Sequence, residues 1–445
     1  MQNQLLTNSH RAYNSLSAAL EEFKNSSPEQ SAIDTAIERG YFIPEEDDFL
    51  WSLVSRFLTI RGGFWELIEE MSAHFSDDIY NVKSLDDWRY FLIGYASCCQ
   101  AVSMARLLID QLAKHKLVQR KINEGSPQNR IPRKVFTSVY ESLSDTDNAI
   151  KMQYMMNFVD ANREYINSLD KDHHLAEIIQ SLPELEVTLH PSQLEFIKLR
   201  LSYLWHSITR SFAVGKQTSS FFILESAGRV IAEIGDHSNK RATPEIRTQA
   251  QTILKPGDVI VTRHDLVASN LFLPGYWPHT ALYIGSVQQR DELGVVLDDS
   301  IENKWSGEIN VLEAKKDGVL FRPLAETLAV DEFVILRPQV SDESLVIALS
   351  RVCQHAGKGY NFDFDFFRSD QLVCTEVIYR AFDGLEDIAF KLIERAGRFS
   401  LSAEDILDMT MDKNGFKVVA AFGFKGCESE FMIGDQVTML VRDSY

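Results

Sequence analysis

Apolar positions in the first half of the chain recur at helical spacing. Leu85, Trp88, Leu92, Tyr95, Cys99, Val102 and Ile109 fall on one stripe. Ser84 stands at the N-cap of that stretch, and Asp86 and Asp87 sit in the first turn, where the helix dipole favours negative charge. Leu194, Ile197, Leu201, Leu204, Trp205, Ile208 and Phe212 mark a second helix, with Pro191 suited to its first turn. Residues 47–72, 133–169 and 219–233 also read as helical. The pattern predicts an all-α helical bundle over residues 1–240.

The character of the chain then changes. Residues 235–246 are polar, with Gly, Asn and Pro, and read as a linker. Short β-rich runs follow at 258–262, 280–284, 295–297, 310–313, 318–321 and 332–336, each bounded by turn residues. Helical spacing returns at 342–356, 374–382 and 403–408, and a last β-rich stretch spans 416–441. Residues 250–445 therefore read as an α+β domain.

Composition narrows the function classes. The chain has 445 residues, 45% apolar and 24% charged, as in ordinary globular proteins. Its net charge of −19 argues against a nucleic-acid binder that neutralises phosphates. Five cysteines, two of them adjacent at Cys98 and Cys99, do not make a disulfide framework. The best candidate for a membrane span, residues 49–71, is interrupted by Arg56 and Arg61. The first residues lack a basic segment followed by a long apolar one. The expectation is a cytoplasmic protein with reduced thiols and no integral membrane segment. There is no C-x-x-C, H-E-x-x-H, phosphate-loop or dinucleotide glycine pattern, so no metal and no cofactor are expected. The Phe-Asp alternation at Asp363 and Asp365 lacks the ligand spacing of a calcium loop.

Candidate chemistry centres on Cys374. Val377, Ile378 and Ala381 follow it at three, four and seven positions, one helical face, so Cys374 falls near a helix N-terminus. Unpaired backbone N–H groups there favour a thiolate and suit an oxyanion. A small buried core cysteine is the competing reading. Of eleven histidines, His279 stands out because it opens the strand-like run HTALYIG after the turn-like LPGYWP. Glu313, in the next well-formed β run, is a carboxylate able to orient an imidazole; Asp298, Asp299 and Glu308 compete for that role. The apolar residues before the histidine (Leu271, Phe272, Leu273, Tyr276 and Trp277) suit an acyl or aromatic group.

Taken in order, KPGDVIVTR, WPHTALYIG, LEAKKDGV, GKGYNFDFDF and CTEVIYRAF carry a resemblance. This part of the chain, roughly residues 250–410, is similar to the permuted papain-like cysteine hydrolases of the YiiX/YaeF group in the NlpC superfamily. In that group the histidine strand precedes the nucleophile helix, as His279 precedes Cys374 here. The resemblance implies a permuted papain-like α+β domain with an antiparallel sheet. It implies Cys374 as nucleophile, His279 as base, Glu313 as the orienting residue and Tyr360 as a cleft residue. Ala281, Val373 and Thr375 depart from the group's usual Gly, aromatic residue and Ser. The implied activity is hydrolysis of an amide, ester or thioester through an acyl-enzyme, on a small-molecule, lipid-like or peptide substrate. Acyl transfer with the same dyad, or a non-catalytic scaffold, are the alternatives.

Overall fold

The computed structural model describes residues 2–25, 30–75, 82–127, 131–187, 189, 240–264, 276–305, 307–362, 364, 366–395, 398–411, 415–424, 426–434 and 436–445. The chain divides into two compact units, Met1–Gly235 and Asp236–Tyr445.

In the first unit the described residues are mainly helical, with one isolated β-bridge between Ser126 and Ile131. Helices run over Gln2–Asn25, Gln30–Arg39, Pro44–Ser72, Leu85–Arg106, Lys116–Glu124, Val135–Ser144, Thr146–Ala161, Arg163–Ser168 and Ala176–Val187. The Leu85–Arg106 helix starts where its capping residues dictate. Asp87 N–H donates to Ser84 Oγ (3.1 Å), and Ser84 N–H donates back to Asp87 Oδ2 (2.7 Å). Leu92, Tyr95, Cys99 and Met104 are buried along it. The helix packs against Pro44–Ser72, Gln2–Asn25 and Ala176–Val187. Close approach of two of these helices needs a missing side chain: a Cβ on Gly63 would stand 2.5 Å from Leu16 Cδ2. Leu85–Leu112, not residues 49–71, is the described stretch that is long and apolar enough to cross a membrane. Of its most apolar window 67% is buried inside the fold, as in the core helix of a bundle.

One expectation for this unit is revised, and two fall outside the described residues. Residues 133–169 form three helices rather than one, because Asp145 caps a new helix through Asn148 N–H (2.8 Å) and Asn162 interrupts the next. The expected helices at 194–212 and 219–233, with Pro191, lie outside the described residues.

The second unit opens with a helix, Pro244–Ile253, where a linker was expected as far as residue 246. Thr243 caps it and Pro244 suits its first turn. Seven strands form one sheet: β1 (Val259–Arg263), β2 (His279–Tyr283), β3 (Ile309–Lys315), β4 (Gly318–Pro323), β5 (Glu332–Pro338), β10 (Phe416–Phe422) and β11 (Met432–Ile433). Two small ladders complete the set, β6 (Gly359–Tyr360) with β7 (Gln371–Leu372) and β8 (Ile393–Arg395) with β9 (Arg398–Ser400). The sheet order is β11-β10-β5-β1-β2-β3-β4 and every pairing within it is antiparallel.

Strand alternation gives the sheet two buried faces. Val259, Val261, Leu282, Leu312 and Leu336 face a core that includes helices Asp342–Cys353 and Cys374–Phe382. Ile260, Ala281, Tyr283, Val311 and Ile335 face the opposite core, with Ala250 and Leu254. Asp258 tethers the start of β1, accepting from Arg337 Nε (2.8 Å), Arg337 Nη2 (2.7 Å) and Lys255 N–H (2.9 Å). Residues 295–297 are not a strand. Gly294, at φ +75°, ends helix Val287–Leu293, and helix Asp299–Glu302 follows at once. The end of the expected last β stretch is also helical, Gln436–Arg442, since Val437 and Val441 are buried one turn apart.

Candidate active site

Helix Cys374–Phe382 has a short entry strand and a sharp start. Val373 is extended (φ −89°, ψ 168°), and its N–H donates to Glu376 Oε2 at 3.0 Å. Glu376 N–H and Val377 N–H both return to Val373 O. The N–H groups of Cys374 and Thr375 come before any carbonyl of this helix that they can reach. Val377, Ile378, Ala381 and Phe382 are fully buried, and the helix packs against β2 and β3. This fixes the Cys374 thiol over the beginning of β2, with Sγ 4.0 Å from Pro278 O.

His279 is the first residue of β2. Its Nε2 lies 2.8 Å from Glu313 Oε2. The strand register explains the pairing. Leu282 faces Leu312 across β2 and β3, so Glu313 falls diagonally from His279 on the same face of the sheet. Glu313 is wholly buried, and its Oε1 accepts from Thr327 Oγ1 (3.2 Å). Lys315 Nζ (2.8 Å) and Arg322 Nε (3.2 Å) approach the same oxygen. With Nε2 turned to Glu313, Nδ1 is the ring nitrogen left for the sulfur.

The charges follow from this packing. Burial works against a charged His279, but the interactions with Cys374 and Glu313 outweigh it and hold the imidazolium up to about 9. Burial alone would raise the Cys374 thiol; His279 and Thr280 bring it below its ordinary value. Burial opposes ionisation of Glu313 as well, yet Lys315 and His279 hold its carboxyl far below the usual range. The other four thiols behave in the opposite way. Burial pushes Cys98 and Cys353 up to about 12, and raises Cys99 and Cys427. Cys374 is thus the one cysteine of five poised toward thiolate.

The remaining candidates sort by burial. Asp298, Asp299 and Glu308 are exposed, and Glu313 is the carboxylate at the imidazole. Tyr360 lies beside Leu372 in the β6–β7 ladder, two residues before Cys374, and packs on Phe362 (4.9 Å between ring centroids). Trp277 was expected to line a substrate cleft. It is 0% exposed, stacks edge-on against Phe424 and donates from Nε1 to Ser444 Oγ (3.1 Å), so it has the surroundings of a core residue. Tyr276 bonds through its hydroxyl to Glu332 (2.8 Å) and lies under Arg263 (4.2 Å). Leu271, Phe272, Leu273, Asp363 and Asp365 lie outside the described residues. No group of three His, Cys, Asp or Glu able to hold a metal ion occurs among the described residues.

Sequence reading missed several neighbours of the site. Lys315 was visible as the residue two beyond Glu313 on one strand face. Arg322 and Thr327 reach Glu313 only through the fold. Burial, with the charges of Lys240 and Lys315, pushes His264 down to about 3, and it lies within electrostatic range of His279. Thr280, next to His279, carries no local pattern that marks it out in the sequence.

An antiparallel sheet whose strand carries the histidine, followed later in the chain by a helix whose first residue is the cysteine, defines a permuted papain-like domain. Residues 253–432 match the family described as permuted papain-like amidase enzyme, YaeF/YiiX, C92 family. The match lies within the second unit and supports a hydrolase function of the amidase type there, and the helical first unit lies outside it. Neither a curated protein nor a solved structure matches the chain.

Proposed function

We propose that the second unit is a cysteine amidase in which Cys374 is the nucleophile, His279 the base and Glu313 the group that orients the imidazole. The observation that carries this reading is the poise of Cys374 beside a His279 whose far nitrogen is bonded to Glu313.

His279 Nδ1 takes the proton from Cys374 Sγ, and the thiolate attacks the carbonyl carbon of an amide. The oxyanion that forms accepts from the Cys374 backbone N–H at the helix N-terminus. His279 gives its proton to the leaving amine, and a thioester remains on Cys374. Water, losing a proton to His279, then attacks the thioester and releases the acid. Glu313 stays ionised throughout and stabilises the imidazolium. Tyr360, beside the strand that leads into Cys374, is assigned to the substrate side of the site.

A thiol-directed acyl probe tests the proposal. Labelling is expected at Cys374, lost in His279→Ala and retained in Cys353→Ala. Equal labelling of all five cysteines, or labelling of Cys374 unchanged by His279→Ala, would refute it.

A further inference from the structure

Thr280 follows the base on β2 and points to the other face of the sheet. That face is the one covered by helix Cys374–Phe382: Leu282, two residues on, shares a core with Val377 and Ile378. Thr280 is 0% exposed, and its Oγ1 has no hydrogen-bond partner in the resting arrangement. A buried hydroxyl left in that condition is a net cost to the fold, and valine would fill the same space without it.

The backbone tells the same story. On β2 the odd-numbered residues turn their N–H groups to β1, as Tyr283 N–H to Asp258 O shows (2.8 Å). The even-numbered ones therefore turn theirs toward β3. Pairing of β2 with β3 covers Tyr283 and Leu282 and stops before Thr280. The Thr280 amide is thus released from the ladder where Cys374 Sγ lies over the strand start, 4.0 Å from Pro278 O. Both the amide and the hydroxyl of Thr280 favour the charged form of that sulfur over the thiol.

We propose that Thr280 is a positioning residue for the nucleophile, whose hydroxyl and amide N–H together hold the Cys374 sulfur once it is a thiolate. This rests on the cysteine-nucleophile reading and extends it. A donor without an acceptor in the thiol state gains one when Sγ gives its proton to His279 Nδ1, so the site is organised in advance for the charged form. The strand that supplies the base on one face supplies the thiolate's donors from its next residue.

The test is the pH dependence of iodoacetamide alkylation of Cys374, followed on its own peptide in the full-length chain. Thr280→Val is expected to move the midpoint up by about 0.5–1 pH unit, a roughly three- to tenfold slower reaction at the wild-type midpoint. Its melting temperature stays the same or rises, and Thr280→Ser returns the wild-type profile. A merely structural threonine would not give lost reactivity together with undiminished stability. Should Thr280→Val not fold, Thr280→Ala against Thr280→Ser gives the same comparison. A Thr280→Val profile superimposed on the wild type, or a Thr280→Ser shift as large as that of the variant without a hydroxyl, overturns the proposal. His279→Ala in the same assay separates the two readings: if it leaves the wild-type profile unmoved, the dyad itself fails, whatever Thr280 does.

Discussion

His279 Nε2 stands 2.8 Å from Glu313 Oε2, and the glutamate is fully enclosed, with Lys315 Nζ 2.8 Å from its other oxygen. Such a carboxylate is fixed in charge and in direction, and the imidazole inherits both. Glu313→Gln keeps the shape and removes the charge. The alkaline fall in kcat/KM is then expected to move from about 9 toward 6.5, with a loss of about 100-fold in rate. Glu313→Ala also leaves Lys315 and Arg322 beside an empty site, and is expected to destabilise the fold by about 3 kcal/mol. A pH–rate profile and a urea titration check the two.

The pH dependence follows from the direction of each shift. His279 is held above its ordinary value, so its ion-pair contribution is complete below about 6.5 and lost as pH rises through about 9. Cys374 is held below its ordinary value, so its contribution is present above 9 and fades as pH falls through its own lowered pKa. Under the proposed mechanism the thiolate–imidazolium pair is therefore expected between the two. Amidase activity is expected to rise to a plateau on the acid side and to fall through about 9. The two limbs belong to the pair rather than to either residue. Steady-state kinetics across that range, with the Cys374→Ser variant as a background, reads both limbs.

Thiol selectivity should be steep. At neutral pH a thiol pushed up to about 12 is ionised to only about one part in 100,000, which leaves Cys98 and Cys353 inert in the folded protein. Cys374 is expected to alkylate at least about 100 times faster than either. Peptide mass spectrometry after a short iodoacetamide pulse measures the ratio, and the preference should vanish in denaturant.

Glu376 gives a prediction of opposite sign for stability. It is buried, and burial pushes its carboxyl up to about 7, although it accepts the Val373 N–H and faces Arg380. Its penalty is absent below about 4.5, grows as pH rises and is complete above about 7. Glu376→Gln keeps an acceptor for Val373. It is expected to stabilise the fold at pH 8 by up to about 3 kcal/mol, with no difference at pH 4. Denaturation at the two pH values tests it.

Much of the site was legible before the fold. A cysteine opening a helix is visible because Val377, Ile378 and Ala381 repeat on one face after it. A histidine opening a strand is visible because HTALYIG is one unbroken β run. Glu313 could not be separated from Asp298, Asp299 and Glu308 by spacing, since strand pairing is a contact between distant segments. Trp277 shows a related limit: an aromatic residue beside His279 has the same local pattern whether it faces a cleft or packs on Phe424, as it does here. The helix at Gln436–Arg442 misled because valines favour strands, and burial against the sheet overrode that preference.

The amino-acid order by itself determined the helical first part, the α+β second part, and the two elements whose ends carry sulfur and imidazole, because these depend on neighbours within a few residues. Tertiary structure alone decided which carboxylate meets His279, which of five thiols is held below its ordinary value, and that Thr280 lies on the sheet face covered by helix Cys374–Phe382. Each of those depends on burial and on charges brought together across tens of residues, and local periodicity carries no record of either.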